Sequence, residues 1–261
     1  MLIPTYSARR FKRICAACGE SQREMNKEHY FPVWLIERTG TVRDGIAWGK
    51  GGNVSVLSAT LPLCVRCNTE FGRELESPMA RVFDDLEAGR GISDEEAELI
   101  VRWMWKFEGL AWVFHHPRGV YTERYTLRDR VLRPIDDIRG NLTLAIGLAE
   151  ERDPEFKEGA MGIDSFNVHN AVFVSGVFSR VAILVSLSVF DEDIPPVFSK
   201  YRLTPHREHS TAKAKLFFPA TGFPTCTAAI GMMKAISPTF SVLHDEYGER
   251  MRTAAKRTHA S

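Results

Sequence analysis

The chain has 261 residues, of which 44% are hydrophobic and 26% are charged, values close to those of ordinary globular proteins. This length is enough for one large domain or two small ones, and either can bury a core. The formal net charge is +1, which excludes a strong attraction of the whole molecule to nucleic acid. Any such affinity has to come from local clusters of basic residues.

The N-terminus and the longest apolar stretch argue against secretion and against a membrane span. The N-terminus, MLIPTYSARRFKR, is apolar before it is basic, unlike a secretory signal. The apolar stretch AVFVSGVFSRVAILVSLSVF is interrupted by Arg180 and several serines and is rich in β-branched residues. This composition favours paired strands over a membrane helix. We therefore expect a cytoplasmic protein with no membrane partner.

Four of the five cysteines form two pairs, Cys15-x2-Cys18 and Cys64-x2-Cys67, with 45 residues between the pairs. A two-residue gap lets both thiolates of a pair reach one tetrahedral zinc at about 2.3 Å, and two pairs complete the shell. Disulfides or free core thiols are the alternatives. Because four thiolates leave no open position, we predict a structural zinc that cannot activate water. The fifth cysteine, Cys226, is predicted to be a small buried side chain.

The segment between the two cysteine pairs is predicted to form strands, and the segment after them a helix. KEHYFPVWLIERTG and GGNVSVLSATLPLC predict strand, glycine-rich turn and strand leading into the second pair. Asn68 is expected to open the following helix, and Glu76 lies two turns further along, near the same face. The apolar residues of this helix recur with the spacing of one helix face. They are Phe71, Leu75, Met79, Val82, Phe83 and Leu86.

The combined pattern CAAC, EHYFP and LCVRCN resembles the HNH, or ββα-metal (His-Me) finger, nucleases. It consists of a first CxxC, then an acid-histidine pair with a proline three residues after the histidine, then a CxxC followed at once by asparagine. The resemblance covers roughly residues 12–80, under a third of the chain. It implies an N-terminal zinc-pinned ββα-metal finger. The alternative for Glu28-His29 is an ordinary exposed surface pair.

The resemblance also implies a metal-dependent endonuclease. In this family the histidine deprotonates water, which places the general base at His29, and Glu28 and Asn68 would hold a divalent ion, Mg²⁺ or Mn²⁺. The residue types suit this chemistry, because attack on a phosphodiester needs a cation at the developing negative charge and a base for the water. Imidazole is mostly neutral near pH 7. Magnesium prefers oxygen ligands, whereas zinc stays with sulfur.

Two positions depart from the family pattern. The family has a further asparagine shortly before the second CxxC, and the only asparagine here is Asn53, eleven residues before it. The usual acid before the histidine is Asp, and Glu28 is longer by one methylene. A zinc-pinned member of the family also uses a glutamate on the last helix, which implies Glu76, or else Glu70, as a further site residue. Asn68 has the alternative role of helix N-cap, and Glu76 that of a solvated helix residue.

A second domain is predicted to begin near residue 90, giving an HNH domain at 1–89 and an α+β domain at 90–261. Ser93 and Glu96 form a capping box, followed by apolar residues at helical spacing. Strands are predicted for NLTLAIGLAEE, SFNVHNAVFVSG, SRVAILVSLSVF and KAKLFFPATG, and a final helix for SVLHDEYGERMRTAAKR. The fold class of the whole chain is therefore α+β.

Two functions follow from these patterns. The first is an endonuclease acting on DNA, with RNA left open, because basic residues at 9–13, 128–133 and 250–257 can follow a phosphate backbone. The second is a non-catalytic, zinc-stabilised module that binds nucleic acid or protein. The second domain would hold DNA, form a homodimer or sense a signal. The segment TPHREHS is predicted to be a loop and not a metal site.

Overall fold

The computed structural model shows an α+β fold in which helices dominate the first half of the chain and strands the second. The predicted fold class is confirmed at this level. The structure describes residues 6–8, 14–21, 23–43, 45–47, 53–115, 119–121, 126–135, 142–151, 160–168, 171–187, 203–205, 214–219 and 223–225.

The first half consists of short strands and helices. In chain order these are β1 (Tyr6–Ala8), β2 (Met25–His29), α1 (Val33–Thr39), β3 (Gly45–Ala47), β4 (Asn53–Ser55), β5 (Thr60–Cys64), α2 (Val65–Phe71), α3 (Ser77–Glu87), α4 (Asp94–His115), β6 (Gly119–Tyr121) and α5 (Leu127–Leu132). β2 and β5 form an antiparallel pair with Met25 opposite Cys64 and His29 opposite Thr60. α2 follows β5 directly and packs against both strands. β1 pairs with β6, and β3 with β4.

The segment after His29 is helical, so the prediction that VWLIERTG continues a strand is wrong. Pro32 stands at the N-cap of α1, and Gly40 ends the helix in the left-handed conformation with φ of 69°. Leu35, Ile36 and Thr39 are buried at helical spacing. Burial of this face outweighs the preference of the β-branched residues for strands.

A second helical segment runs from Val65 to Glu87 as α2, a π-helical turn (Gly72–Glu76) and α3. The predicted apolar stripe of this segment is confirmed, because all six residues are at most 4% exposed. The prediction that Asn68 opens the helix is wrong. The N-cap is Cys64, whose side chain accepts the backbone N–H of Cys67, and Asn68 lies one turn inside.

The long helix α4 lies at the centre of the described fold. The predicted capping box is confirmed, since Ser93 Oγ accepts the Glu96 N–H at 3.2 Å and Glu96 Oε2 accepts the Ser93 N–H at 2.6 Å. Residues 103–110 of α4 are buried on all sides of the helix, which is typical of a helix inside a core. None of the described helices combines the length and apolar character that a membrane span requires.

A seven-stranded sheet forms most of the second half. Its strands are β7 (Leu142–Glu151), β8 (Ala160–Val168), β9 (Ala171–Ser179), β10 (Val181–Leu187), β11 (Leu203–Pro205), β12 (Ala214–Pro219) and β13 (Phe223–Thr225). Their order is β11-β12-β7-β10-β9-β8, and β13 also pairs with β7. β8, β9, β10 and β7 pair antiparallel, whereas β12 and β13 run parallel to β7. All four segments predicted to form strands contain strand residues, and SFNVHNAVFVSG covers the end of β8 and the start of β9. The predicted C-terminal helix lies outside the described residues.

An aromatic cluster joins α4 to the sheet and to the N-terminal elements. The ring centroids of Trp103 and Phe107 lie 4.6 Å apart edge to face, and Phe107 stacks on Phe178 of β9 at 5.7 Å. Phe31 and Phe83 contact the same rings. The buried core therefore continues across residue 90. The domain boundary placed there stays a prediction.

α5 packs closely on α4 at Gly109. A Cβ atom at this position would lie 2.3 Å from Leu127 Cδ1 and 2.9 Å from Arg130 Nη2. Arg130 is buried and donates from Nη2 to Glu108 Oε2 at 2.5 Å and to the Trp105 carbonyl at 2.8 Å. The absence of a side chain at Gly109 thus allows a buried ion pair to form between the two helices.

Candidate functional site

The four paired cysteines lie together in one cluster. All four Sγ atoms lie within 4.8 Å of one another, and those of Cys18 and Cys64 are 3.9 Å apart. Zinc bound tetrahedrally at about 2.3 Å places its sulfur ligands roughly 3.8 Å apart, whereas a disulfide needs about 2.05 Å. Cys15, Cys18, Cys64 and Cys67 are free thiols. The cluster therefore has the spacing of a four-sulfur metal site.

Backbone groups fix the positions of the sulfur atoms. The Cys64 N–H donates to Cys15 Sγ at 3.2 Å, and the Cys67 N–H donates to Cys64 Sγ at 3.5 Å. Gly19 closes the turn of the first pair with φ of 76°, and its N–H donates to the Cys15 carbonyl. Such N–H donors stabilise charge on sulfur, so the local fold favours thiolates.

The four sulfur atoms lie so close together that several of them can be thiolates at the same time only in the presence of a cation. Hydrogen bonds from the thiols of Cys18 and Cys67 lower the pKa of Cys15 to about 2. The hydrogen bond to Cys15 raises the pKa of Cys18 to about 12, and hydrogen bonds to Cys15 and Cys18, with burial, raise the pKa of Cys67. Without a metal, Cys15 is thus favoured as a thiolate and Cys18 and Cys67 as thiols. A zinc ion deprotonates its thiol ligands, so the donor set fits structural zinc.

Lys106 of α4 joins two of the candidate acids. Its Nζ donates to Glu28 Oε1 at 2.5 Å and to Glu76 Oε1 at 2.6 Å. The lysine side chain is fully buried, and the two carboxylates are 14% and 11% exposed. Burial acts to lower the pKa of Lys106, but the negative charges of Glu76 and Glu28 more than offset this effect and raise the pKa. Lys106 is therefore an ammonium held between two carboxylates.

Glu76 has partners on both carboxylate oxygens. Its Oε2 accepts hydrogen bonds from Trp34 Nε1 and Trp103 Nε1, each at 3.1 Å, while Oε1 accepts from Lys106. The residue ends the π-helical turn between α2 and α3, a feature often found at functional positions. Its burial rules out the alternative of a solvated helix residue. Both oxygens are taken by side chains, so Glu76 faces Lys106 and two indoles.

Glu28 and His29 lie at the end of β2 and are both half-buried, so they are not an ordinary exposed pair. Oε2 of Glu28 accepts no hydrogen bond from a described residue. His29 Nδ1 is buried and has no hydrogen-bond partner within the described ranges. Buried polar atoms without partners are uncommon in folded proteins. Within the described ranges, no protein group therefore occupies this nitrogen.

Asn68 lies in α2, the helix that packs against β2, and is half-buried. Its side chain makes no hydrogen bond to any residue that the structure describes. The fold thus brings the helix of Asn68 next to the strand of Glu28 and His29. No side-chain hydrogen bond joins Asn68 or His29 to another candidate residue in the described part of the chain.

Glu70, the weaker glutamate candidate, is bound by arginines. Arg128 of α5 donates to its two oxygens at 2.6 and 2.9 Å, and Arg66 donates at 3.0 Å. The Arg128 guanidinium is the main cause that holds the pKa of Glu70 at about 2. Glu70 therefore links α2 to α5, and its oxygens are not free to bind a ligand.

Some of the remaining candidate residues lie within the described part of the chain, and others lie outside it. Among the basic residues at 128–133, Arg130 is buried against Glu108, Arg133 pairs with Asp129, and Arg128 pairs with Glu70. This cluster is neutralised within the protein. Asn53 begins β4, away from the β2–β5 pair. The clusters at 9–13 and 250–257, Cys226 and the histidines of TPHREHS lie outside the described residues.

Lys106 is the site residue that the sequence patterns did not reveal. One signal was present, because the lysine stands within WMWKFEGL, in a helix segment whose other residues are almost all apolar. Lysine is almost never fully buried unless it is paired. A lysine in such a helix predicts acidic partners, although it does not say which acids they are.

Comparisons with protein-family models, with curated proteins and with solved structures gave no match. A function for this chain therefore has to be inferred from its motifs and its geometry.

Proposed function

We propose that this chain is a metal-dependent HNH endonuclease that hydrolyses phosphodiester bonds of DNA. The observation that carries the proposal is the placement of Glu28-His29. The pair ends a strand that is paired with β5 and packed against α2, both adjoining the cysteine cluster, and His29 has a buried Nδ1 without a described partner. The motif resemblance supplies the type of reaction, and this arrangement supplies residues able to perform it.

His29 is the general base in the proposed reaction. It takes a proton from a water molecule as the water oxygen attacks phosphorus, and the bond from phosphorus to the leaving sugar oxygen breaks. A positioned base of this kind contributes typically about 10²–10⁴-fold to the rate. The half-buried position of the imidazole limits its freedom and favours one orientation toward the substrate.

Glu28 and Asn68 are the residues that would hold the divalent ion. Oε2 of Glu28, which accepts no hydrogen bond from a described residue, and the amide oxygen of Asn68 are the oxygen donors that Mg²⁺ and Mn²⁺ prefer, so the donor set fits. When bound, the ion would supply positive charge to the phosphate in the transition state. The cysteine cluster would hold zinc as a structural element that fixes β5 and α2 relative to each other.

A second candidate function is a non-catalytic zinc module that binds nucleic acid or protein. The observation that favours it is the ion pair between Lys106 and Glu28, which already gives the acid of the motif a buried partner. In this reading Glu28 serves packing and not catalysis.

A plasmid assay separates the two functions. Zinc-loaded protein is incubated with supercoiled plasmid and Mg²⁺ or Mn²⁺, with chelator as a blank and with single-stranded DNA and RNA as parallel substrates. His29→Ala should reduce nicking by about 10²-fold or more, since it removes the base. Asn26→Ala is the control, because Asn26 is an exposed residue of β2, the strand that carries His29. Asn68→Ala is paired with Thr69→Ala, its exposed neighbour in α2.

The two controls should nick at the wild-type rate. Nicking that survives His29→Ala would remove His29 from the mechanism. Protein that retards nucleic acid in a gel but cuts nothing with either metal would establish the binding module instead.

A further inference from the structure

The charges around Lys106 are arranged like a small metal site in which an ammonium takes the place of the ion. Two carboxylates, Glu28 and Glu76, each direct one oxygen at Nζ within 2.6 Å. The lysine comes from α4, far along the chain from both acids. Two indole N–H groups hold the other oxygen of Glu76, so that carboxylate cannot turn away from Lys106 without losing them.

We propose that Lys106 is a positioning residue that limits the proposed ion site to a single carboxylate. Its ammonium holds Glu28 by Oε1, leaves Oε2 for the divalent ion, and prevents Glu76 from serving as a second carboxylate ligand. This inference rests on the proposed function for the identity of the ion ligands. It goes beyond that function in assigning roles to Lys106 and Glu76.

The physical reason is the number of charges that face the ion. The affinity of oxygen sites for divalent cations rises with the number of carboxylate ligands. With Lys106 in place, Glu76 is neutralised, and among the oxygens of the two glutamates only Oε2 of Glu28 accepts no hydrogen bond from a described residue. With the ammonium removed, two buried carboxylates face each other without a counter-charge, and a divalent ion relieves this repulsion. A residue with only a packing role would show no such exchange between ammonium and metal ion.

Metal binding to the full-length, zinc-loaded protein tests the proposal directly. Tb³⁺ serves as the probe, because Trp34 and Trp103 lie against Glu76 and can sensitise its luminescence; Mn²⁺ is then titrated in competition. Lys106→Met removes the ammonium and keeps an unbranched side chain. Its apparent affinity for Mn²⁺ should rise about tenfold or more, because a second carboxylate becomes available. Lys27→Met, at the exposed lysine beside Glu28, is the control and should bind as wild type does.

One further variant, Glu76→Gln, keeps the test decisive if Lys106→Met does not fold, and a double variant identifies the source of the gain if it does fold. Glu76→Gln retains an oxygen that can accept the indole N–H groups, and its Mn²⁺ affinity should equal that of the wild type, since Glu76 is not a ligand while Lys106 holds it. The double variant Lys106→Met with Glu76→Gln should lose the gain of the single Lys106 variant. A tenfold loss of affinity in Glu76→Gln, or an unchanged affinity in folded Lys106→Met, would overturn the proposal.

The plasmid assay keeps this result separate from the proposed function. A wild-type protein that binds Mn²⁺ but does not nick would refute the nuclease and leave the role of Lys106 supported by the binding series. If the protein nicks DNA but Lys106→Met leaves its Mn²⁺ affinity unchanged, this inference is refuted and the proposed function is not.

Discussion

Gly109→Ala should destabilise the protein, although alanine is the better helix former. In an open helix position this change stabilises by about 1 kcal/mol. Here the new methyl group would lie 2.3 Å from Leu127 Cδ1, which has to move by about 1.1 Å to reach the 3.4 Å of an ordinary contact. Arg130 Nη2, at 2.9 Å, would be pushed from its bonds to Glu108 and the Trp105 carbonyl.

The clash should outweigh the gain in helix propensity. Overpacking a core by one methyl group costs typically about 1–3 kcal/mol, and a weakened hydrogen bond to a charged group costs about 1.5–3 kcal/mol. Against the gain of about 1 kcal/mol, we expect a net loss of about 1.5–5 kcal/mol in the free energy of unfolding. For a chain of this size even the smallest of these losses corresponds to a fall of roughly 3–6 °C in Tm.

Gly72→Ala is the matched control, because a Cβ at Gly72 has no atom within 4 Å. The same chemical change should there be neutral or stabilise by up to about 1 kcal/mol. Urea denaturation of both zinc-loaded variants, followed by tryptophan fluorescence and circular dichroism, measures the difference. A Gly109→Ala protein as stable as the wild type would show that α5 does not pack on α4 as described.

Substitutions at three other positions test the site and its supports. Elemental analysis should find about one zinc per chain. The Cys64→Ser protein should not retain this zinc, and its N-terminal part should unfold, because structural zinc supplies folding free energy. A metal-free protein that melts at the same temperature as the zinc-loaded protein would contradict this. Glu70→Gln should cost about 1–2 kcal/mol near pH 7 after solvent screening. The folded pKa of Glu70 is about 2 against an ordinary 4.5, so its stabilisation is present above pH 4.5 and is lost as pH falls toward 2. A difference between the two proteins that persists at pH 2 would refute the pairing with Arg128. Ser93→Ala should cost about 1 kcal/mol and Ser93→Thr less; equal stability of all three proteins would argue against the cap.

Local patterns predicted much of the fold because local physics decides those elements. The cysteine spacing predicted a shared cluster, since one ion can hold all four sulfur atoms only if both pairs converge. Ser93 and Glu96 predicted the start of α4, and the β-branched run around Val181 predicted strands. The capping box and the β-branched run depend on neighbours within a few residues, whereas the cysteine pairs are separated by 45 residues and are linked by the shared ligand chemistry of four thiols.

The wrong strand prediction for VWLIERT and the missed contact of Lys106 have two different physical causes. In VWLIERT the β-branched residues favour a strand. Pro32 before the segment and Gly40 after it are helix start and stop signals, and the segment is helical. The contact between Lys106 and Glu28 joins residues 78 positions apart and depends on how α4 packs. Periodicity within one element carries no information about such a contact.

The lysine between two acids sets a minimum length for any fragment that keeps Glu28 and Glu76 in their positions. A piece ending at residue 89 would contain every cysteine of the cluster and the whole Glu28-His29 motif. It would also lack the Lys106 ammonium and the Trp103 indole, so Glu28 and Glu76 would lose the partners that hold them in place. Shortened versions of the chain should therefore retain α4, and residues 1–89 expressed alone are expected to misplace the Glu28 carboxylate.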